Sequence, residues 1–208
     1  MDENEVRLFF RNFKEVDLIQ IRWHGRGGQG AVTAGRILAT AGYLSGYIGA
    51  TSAPFFGAER RGAPVIATTK LSSQPIRDLS QIISPNIVVV LDHTLFKSID
   101  VTQGLSNGGW LIINTPDIIN PSPKFNIVYV NATKIATDLG LVYAGVPLVN
   151  TPMLGTLLHV LPKIDLSSMH KALEYFFSPT ALAKNFDAIS QVFREARVIP
   201  LNNSVIKG

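Results

Sequence analysis

The chain has 208 residues, 46% of them hydrophobic and 16% charged, and a formal net charge of +4. This apolar content suffices for a sizeable core and argues against a disordered chain. No apolar run approaches the roughly 20 residues that cross a bilayer, so no membrane segment is expected. The absence of cysteine excludes disulfides, thiolate nucleophiles and cysteine-bound clusters from this chain.

Metal, export and nucleic-acid functions are not expected either. The four histidines are scattered without metal-binding spacing. The N-terminus lacks the basic start and apolar stretch of a signal peptide, which predicts a cytoplasmic protein. Lysine and arginine form no cluster longer than Arg60-Arg61, whereas nucleic-acid-binding proteins concentrate them on one surface. A small phosphorylated ligand fits the positive charge better.

Strand and helix patterns alternate along most of the chain. Apolar runs predict strands at 18–23, 47–53, 64–71, 86–92, 109–115 and 125–132. Helical spacing is found at 31–46 and then at 132–141, 150–162, 167–177 and 180–198. The alternation predicts an α/β fold, with a Rossmann-like, mostly parallel sheet flanked by helices and a helical C-terminal region. Residues 1–17 are interpreted as an N-terminal extension and 18–208 as a single domain.

A glycine-rich stretch, HGRGGQG, lies between the first predicted strand and the first predicted helix. Glycines allow the backbone to approach a ligand closely, and a helix N-terminus offers free N–H groups to a phosphate. Arg26 adds a positive charge. These features favour anion binding by the loop over the alternative, a tight turn that only packs the helix on the strand.

A nicotinamide dinucleotide site fits this loop poorly. Such sites place an Asp or Glu roughly 20 residues further on, to bind the ribose hydroxyls, but no acidic residue occurs between Asp17 and Glu59. The stretch PFFGAERRGAPV (54–65) carries Arg60 and Arg61 instead, which leaves an NADP site open. A solvated loop with Glu59 paired to an arginine is the simpler interpretation of that stretch. Because both stretches are expected at the carboxyl ends of strands, a shared ligand site is favoured.

The combination of GRGGQG with the FFGAERRGAPV stretch resembles the gamma subunit of pyruvate:ferredoxin oxidoreductase and related 2-oxoacid:acceptor oxidoreductases. The resemblance continues through QIISPNIVVVLDHTLF, GWLIINT and GVPLVNTPMLGTL, so it covers nearly the whole chain after residue 17. The FFGAERRGAPV form is more similar to the pyruvate and branched-chain oxoacid branch than to the 2-oxoglutarate branch.

The resemblance implies a non-autonomous subunit of a larger enzyme. The family decarboxylates a 2-oxoacid on thiamine diphosphate with Mg²⁺, passes electrons through 4Fe-4S clusters to ferredoxin, and transfers the acyl group to coenzyme A. The thiamine diphosphate belongs to the beta subunit and the clusters to the ferredoxin-like delta subunit, which together with an alpha subunit are the implied partners. No catalytic residue is assigned to this chain, which would bind coenzyme A and cover the active site.

The resemblance also implies a coenzyme A site. Gly25, Arg26, Gly27, Gly28, Gln29 and Gly30 would cradle the phosphates, with Arg60 or Arg61 pairing to a phosphate and Asn150 and Asn185 reaching the ligand. Asn150 has an alternative role as a helix N-cap, and Asn185 as a solvated mid-helix residue. A free-standing NADP-binding reductase and a purely structural subunit stay open as alternatives.

Four other residues have structural interpretations. His24 is expected in the core or at a strand end, and Asp92 is expected to cap the turn that follows it. Trp23 and Trp110 are expected in packing or at a subunit interface rather than in contact with a cofactor.

Overall fold

A computed structural model describes residues 17–55, 62–78 and 80–201. Seven of its strands form one sheet: β1 (Leu18–Arg26), β2 (Gly49–Pro54), β3 (Pro64–Ser72), β4 (Ile87–Val90), β5 (Trp110–Asn114), β6 (Asn126–Val130) and β9 (Arg197–Ile199). A separate two-stranded hairpin is formed by β7 (Val142–Tyr143) and β8 (Val146–Pro147). The helices are α1 (Ala31–Leu44), α2 (Ala132–Asp138), α3 (Leu154–Leu157), α4 (Leu166–Leu173) and α5 (Pro179–Glu195), with a 3₁₀ helix at His93–Lys97.

The strand order in the sheet is β2-β3-β1-β4-β5-β6-β9. β1, β4, β5 and β6 pair in parallel, while β3 is antiparallel to both β1 and β2. β9 is antiparallel to β6. Five of the seven strands therefore run in one direction, which confirms the prediction of a mostly parallel α/β sheet flanked by helices.

The sheet is buried on both faces, as the apolar run of β4 predicts. Ile87 and Val89 face the larger core with Trp23 and α1, while Val88 and Val90 face the smaller core beneath the 3₁₀ helix. All four are fully buried. Alternating side chains of one strand thus serve two cores.

Helix α1 lies close against the sheet because small residues line its inner face. A Cβ atom at Gly42 would come within 2.5 Å of Leu71 Cδ2, and one at Gly35 within 2.6 Å of Ser52 Oγ. This contact fixes the N-terminus of α1 relative to the end of β1, where the glycine-rich loop lies. Among the helices of the described residues, none combines the length and the apolar character needed to cross a bilayer.

The C-terminal third is less helical than predicted. The expected helix 180–198 ends at Glu195, and Arg197–Ile199 forms an edge strand on β6, to which the β-branched Val198 and Ile199 are suited. Of the expected helix 150–162, only Leu154–Leu157 is α-helical, because i→i−3 hydrogen bonds such as Gly155 N–H to Pro152 O tighten the preceding turns. The β7–β8 hairpin was not predicted.

Candidate ligand-binding site

The glycine-rich loop lies at the carboxyl end of β1 and leads directly into α1. Gly25 is still inside β1, paired with Val65 of β3. Gly28 (φ 94°) and Gly30 (φ 77°), the N-cap of α1, have left-handed backbones that favour glycine. Gln29 closes the turn, because its Oε1 accepts from the Arg26 N–H at 2.7 Å and its own N–H donates to Arg26 O at 2.9 Å.

Several N–H groups at this helix start have no hydrogen-bond acceptor among residues 17–55, 62–78 and 80–201. Within the described part of the chain, no acceptor bonds the N–H of Gly28, Gly30, Ala31 or Val32. The first turn of α1 contains no acidic residue, and no side chain caps the helix. Free N–H groups and the positive end of the helix dipole therefore coincide at this point, an arrangement suited to an anion.

The described C-terminal end of the second predicted stretch, residues 62–65, lies beside the glycine-rich loop. Gly27 N–H donates to Ala63 O at 2.8 Å, and Gly62 N–H donates to Gly27 O at 3.2 Å. This bonding brings the start of β3 to the carboxyl end of β1, as expected for a shared site. Arg60 and Arg61 lie outside the described residues.

Arg26 is held by three protein groups. Its Nε donates to Asp92 Oδ2 at 2.7 Å, its Nη2 to Thr94 Oγ1 at 2.8 Å, and its Nη1 to Gly62 O at 3.2 Å. The Arg26 charge is thus offset by a carboxylate, and the side chain links the loop, the 3₁₀ helix and the start of β3. This ion pair was not predictable from local sequence patterns, since the partners are 66 residues apart.

Asp92 caps the 3₁₀ helix, as predicted. Its Oδ1 accepts from the Thr94 N–H at 2.9 Å and from Thr94 Oγ1 at 2.6 Å. Partial burial raises the pKa of this carboxyl, but the hydrogen bonds from Thr94 and Arg26 outweigh burial and leave the pKa below its ordinary value. Asp92 is therefore ionised at neutral pH and available to Arg26.

A cavity of about 690 Å³ opens in front of the loop, within the usual range for small-molecule sites. Its wall consists of the loop, the start of α1, the start of β3 and the β7–β8 hairpin with the residue after it: Arg26, Gly27, Gly28, Gln29, Gly30, Ala31, Val32, Val65, Ile66, Tyr143, Ala144, Val146 and Leu148. The hairpin wall was not predicted from the sequence. The signal for it was Gly145 between the apolar pairs of VYAGVP, because glycine favours the positive φ that a two-residue hairpin turn requires.

Asn150 lies directly behind the loop. Its side chain is buried, and a Cβ atom at Gly30 would come within 2.6 Å of Asn150 Nδ2. The alternative role as helix N-cap is wrong, because the N-cap of α3 is Met153. Asn150 is not among the described residues whose fully buried polar atoms lack a hydrogen-bond partner. The residue is 9% exposed and lies against the N-terminus of α1.

Asn185 lies away from this constellation. It is buried on α5 rather than solvated, and its Nδ2 donates to Ala181 O at 2.8 Å, one turn earlier in the same helix. It is not among the described residues that line the cavity. The structure therefore brings Arg26, Gly27, Gly28, Gln29 and Gly30 together at the cavity with Asn150 behind them, and places Asn185 elsewhere.

The expectations for His24 and the tryptophans are confirmed. His24 is 3% exposed on β1, and its Nε2 accepts from Arg22 Nε at 3.0 Å. Burial and the neighbouring Arg22 charge lower the pKa of His24 to about 4. Trp23 and Trp110 are buried in the larger core. In residues 17–55, 62–78 and 80–201, no three histidine or acidic side chains are grouped so that they could hold a metal ion.

Comparison with known proteins agrees with the resemblance read from the sequence. A model of the family described as pyruvate ferredoxin/flavodoxin oxidoreductase matches residues 20–195. The chain is 41% identical over 191 residues to the pyruvate/ketoisovalerate oxidoreductases common subunit gamma of Thermococcus litoralis, covering 88% of this chain and 100% of that one.

Two solved structures share the fold. Pyruvate oxidoreductase subunit PORC of Thermotoga maritima is 32% identical, with a TM-score of 0.73 over 88% of this chain and 99% of that chain. The 2-oxoglutarate:ferredoxin oxidoreductase of Magnetococcus marinus, solved with coenzyme A bound, is 17% identical and shows the fold alone, with a TM-score of 0.66 over 86% of this chain and 31% of its own. On these matches, the chain belongs to the pyruvate ferredoxin/flavodoxin oxidoreductase family.

Proposed function

We propose that this chain is the gamma subunit of a 2-oxoacid:ferredoxin oxidoreductase and binds coenzyme A in the cavity beside the glycine-rich loop. The observation that carries the proposal is the uncapped start of α1, where Gly28, Gly30, Ala31 and Val32 line the cavity and their N–H groups have no described acceptor. Coenzyme A brings a pyrophosphate and a 3′-phosphate, with about four negative charges that N–H groups and guanidinium groups bind well.

The charges around the cavity support different roles for Arg26 and for the pair Arg60 and Arg61. Asp92 offsets the charge of Arg26, which therefore orders the site more than it attracts an anion. Arg60 and Arg61 immediately precede Gly62, whose N–H is bonded to the glycine-rich loop. They are the candidates for pairing with phosphate, and arginine can do so bidentately.

Strand order argues against the NADP-binding alternative. In a dinucleotide-binding fold, the strand that follows the first helix lies parallel beside the first strand and carries the ribose-binding residue at its carboxyl end. Here the strand that follows α1 is β2, and the antiparallel strand β3 separates it from β1. The carboxyl end of β2 therefore does not lie beside that of β1, where the ribose would be bound.

The chemistry of the reaction is assigned to partner subunits. Thiamine diphosphate supplies the decarboxylation chemistry itself, and this chain would contribute binding, orientation and cover for the active site. Alpha, beta and ferredoxin-like delta subunits are the proposed partners. The name of the Thermococcus litoralis relative, a subunit common to pyruvate and ketoisovalerate enzymes, supports placing recognition of the oxoacid outside this chain.

The test is the coenzyme A dependence of the assembled enzyme. An Arg60→Ala, Arg61→Ala double variant should raise the KM for coenzyme A about 10-fold or more, because charge-assisted hydrogen bonds contribute about 1.5–3 kcal/mol each. The matched control is Arg36→Ala, Arg77→Ala, which changes the net charge equally at two exposed positions outside the cavity.

The control should leave the KM for coenzyme A unchanged. Size-exclusion chromatography of each variant complex would establish that the subunits still assemble. An unchanged KM in an intact complex of the Arg60, Arg61 variant would contradict the assignment, and nicotinamide dinucleotide binding by the isolated chain would favour the reductase alternative.

A further inference from the structure

The β7–β8 hairpin presents one face to the cavity. Tyr143 and Val146 are directly opposed in the ribbon, so their side chains lie on the same face. Leu148, two residues after Val146, continues that face. All three line the cavity, whereas Val142 and Pro147, on the other face of the ribbon, are not among the described lining residues.

The hairpin is anchored at its base and has a strained residue at its tip. At its base, Leu141 is buried, its N–H donates to Ala136 O at 2.8 Å, and its carbonyl accepts from the Leu148 N–H at 2.8 Å. At its tip, Ala144 has a left-handed backbone with φ 48°, a conformation that costs a non-glycine residue free energy. The base of the wall that faces the loop is therefore positioned by the fold.

Tyr143 is a largely exposed aromatic residue on this face. Its side chain is 75% exposed although it forms part of a cavity wall. The other cavity walls offer N–H groups from the glycine-rich loop and aliphatic side chains from Val32, Val65 and Ile66. A ligand that fills this space meets an anion-binding side and an aromatic side.

We propose that Tyr143 stacks on the nucleobase of the ligand whose phosphates bind the glycine-rich loop, with Val146 and Leu148 packing beside it. The inference rests on the proposed function, in which the ligand is coenzyme A and the base is its adenine. A phosphate-bearing ligand with a planar heterocycle matches both walls, because aromatic side chains stack on any base through its π-face. Tyr143 is a binding residue for the nucleotide and has no part in the transfer of the acyl group.

The experiment compares Tyr143→Ala, Tyr143→Phe and Tyr175→Ala in the assembled enzyme. Loss of the ring in Tyr143→Ala should raise the KM for coenzyme A about 5-fold or more, the value of one base–aromatic stack, and leave kcat unchanged. Tyr143→Phe keeps the ring and should behave like the wild type. Tyr175 is 71% exposed and lies outside the cavity, so Tyr175→Ala is the matched control and should change neither constant.

Competition by fragments of the ligand identifies what the ring contacts. In Tyr143→Ala, the inhibition constant of adenosine 3′,5′-bisphosphate should rise by the same factor as the KM, while that of inorganic pyrophosphate stays constant. An unchanged KM in Tyr143→Ala, an equal rise of the KM in Tyr143→Phe, or weakened inhibition by pyrophosphate would each overturn the stacking proposal.

The Arg60, Arg61 variant separates this proposal from the proposed function. If that variant raises the KM and Tyr143→Ala does not, the stacking proposal fails and the coenzyme A site stands. If neither variant changes the KM, the proposed function fails as well.

Discussion

At the scale of single residues, the arginine of the glycine-rich loop is held in place by protein groups. Arg26 donates hydrogen bonds to Asp92, to Thr94 and to the carbonyl of Gly62. These bonds join three segments that meet at the carboxyl edge of the sheet. Arg26 therefore stabilises the geometry of the loop, and in the proposed site the uncapped backbone would provide the attraction for an anion.

The Arg26–Asp92 pair should contribute measurably to folding. Asp92→Asn removes the charge from a carboxylate that is 18% exposed and accepts from both Arg26 and Thr94, and should lower the free energy of unfolding by about 1–2 kcal/mol. Asp138→Asn is the matched control, because Asp138 pairs with Lys134 at an exposed helix position and should cost at most about 0.5 kcal/mol. Urea denaturation at pH 7 measures both. Equal losses of unfolding free energy in the two variants would show that the partial burial of the Arg26–Asp92 pair adds no stability.

At the scale of secondary-structure elements, the site depends on how α1 is joined to the strand before it and to the segment behind it. Gly28 and Gly30 both have left-handed backbones, but their surroundings differ. A Cβ atom at Gly28 would meet nothing within 4 Å, whereas one at Gly30 would meet the side chain of Asn150. The start of α1 is thus packed against Asn150 on one side and open on the other.

This difference predicts unequal effects of alanine at the two glycines. Gly28→Ala and Gly30→Ala each incur a backbone cost of about 1–2 kcal/mol, and Gly30→Ala must also displace Asn150, which should add on the order of 1 kcal/mol or more. The free energy of unfolding, measured in urea, should therefore fall further in Gly30→Ala. In an Asn150→Ala background the two glycine variants should become equal. A gap that persists without the Asn150 side chain would contradict the packing explanation.

Local patterns in the sequence predicted the elements that form the frame of the site, and failed where distant segments meet. The runs ending in Asp92 and Asn114 are buried on both sides, which a continuous apolar run indicates by itself. The glycine spacing likewise predicted a turn into a helix. The direction of β3, the Arg26–Asp92 pair and the contact of Asn150 with Gly30 depend on pairing across long stretches of chain, which periodicity does not encode. The two strands of the β7–β8 hairpin have two residues each, too few for an alternating pattern to indicate a strand.

At the scale of the whole molecule, the protein tolerates a buried cation in its smaller core. Arg22 is 9% exposed, and its guanidinium is satisfied by His24 Nε2 and by the carbonyls of Val101 and Gln103. Burial lowers the pKa of Arg22, and the nearby Asp100 partly restores it. The arrangement requires a neutral His24, because only the unprotonated Nε2 can accept from Arg22.

The stability of the whole fold should therefore fall in mild acid. The pKa of His24 is about 4 in the folded protein and 6.5 ordinarily, so the unfolded chain takes up a proton first and stability is lost as the pH falls from about 6.5 towards 4. Between pH 7.5 and pH 5 the loss of unfolding free energy due to His24 should be on the order of 2 kcal/mol.

His24→Gln keeps an acceptor for Arg22 and does not titrate, so the unfolding free energy of this variant should fall less over this range. His159, whose pKa is lowered by burial, contributes equally to both proteins and cancels in the difference. Parallel curves of unfolding free energy against pH for the wild type and His24→Gln would show that His24 is not the group responsible.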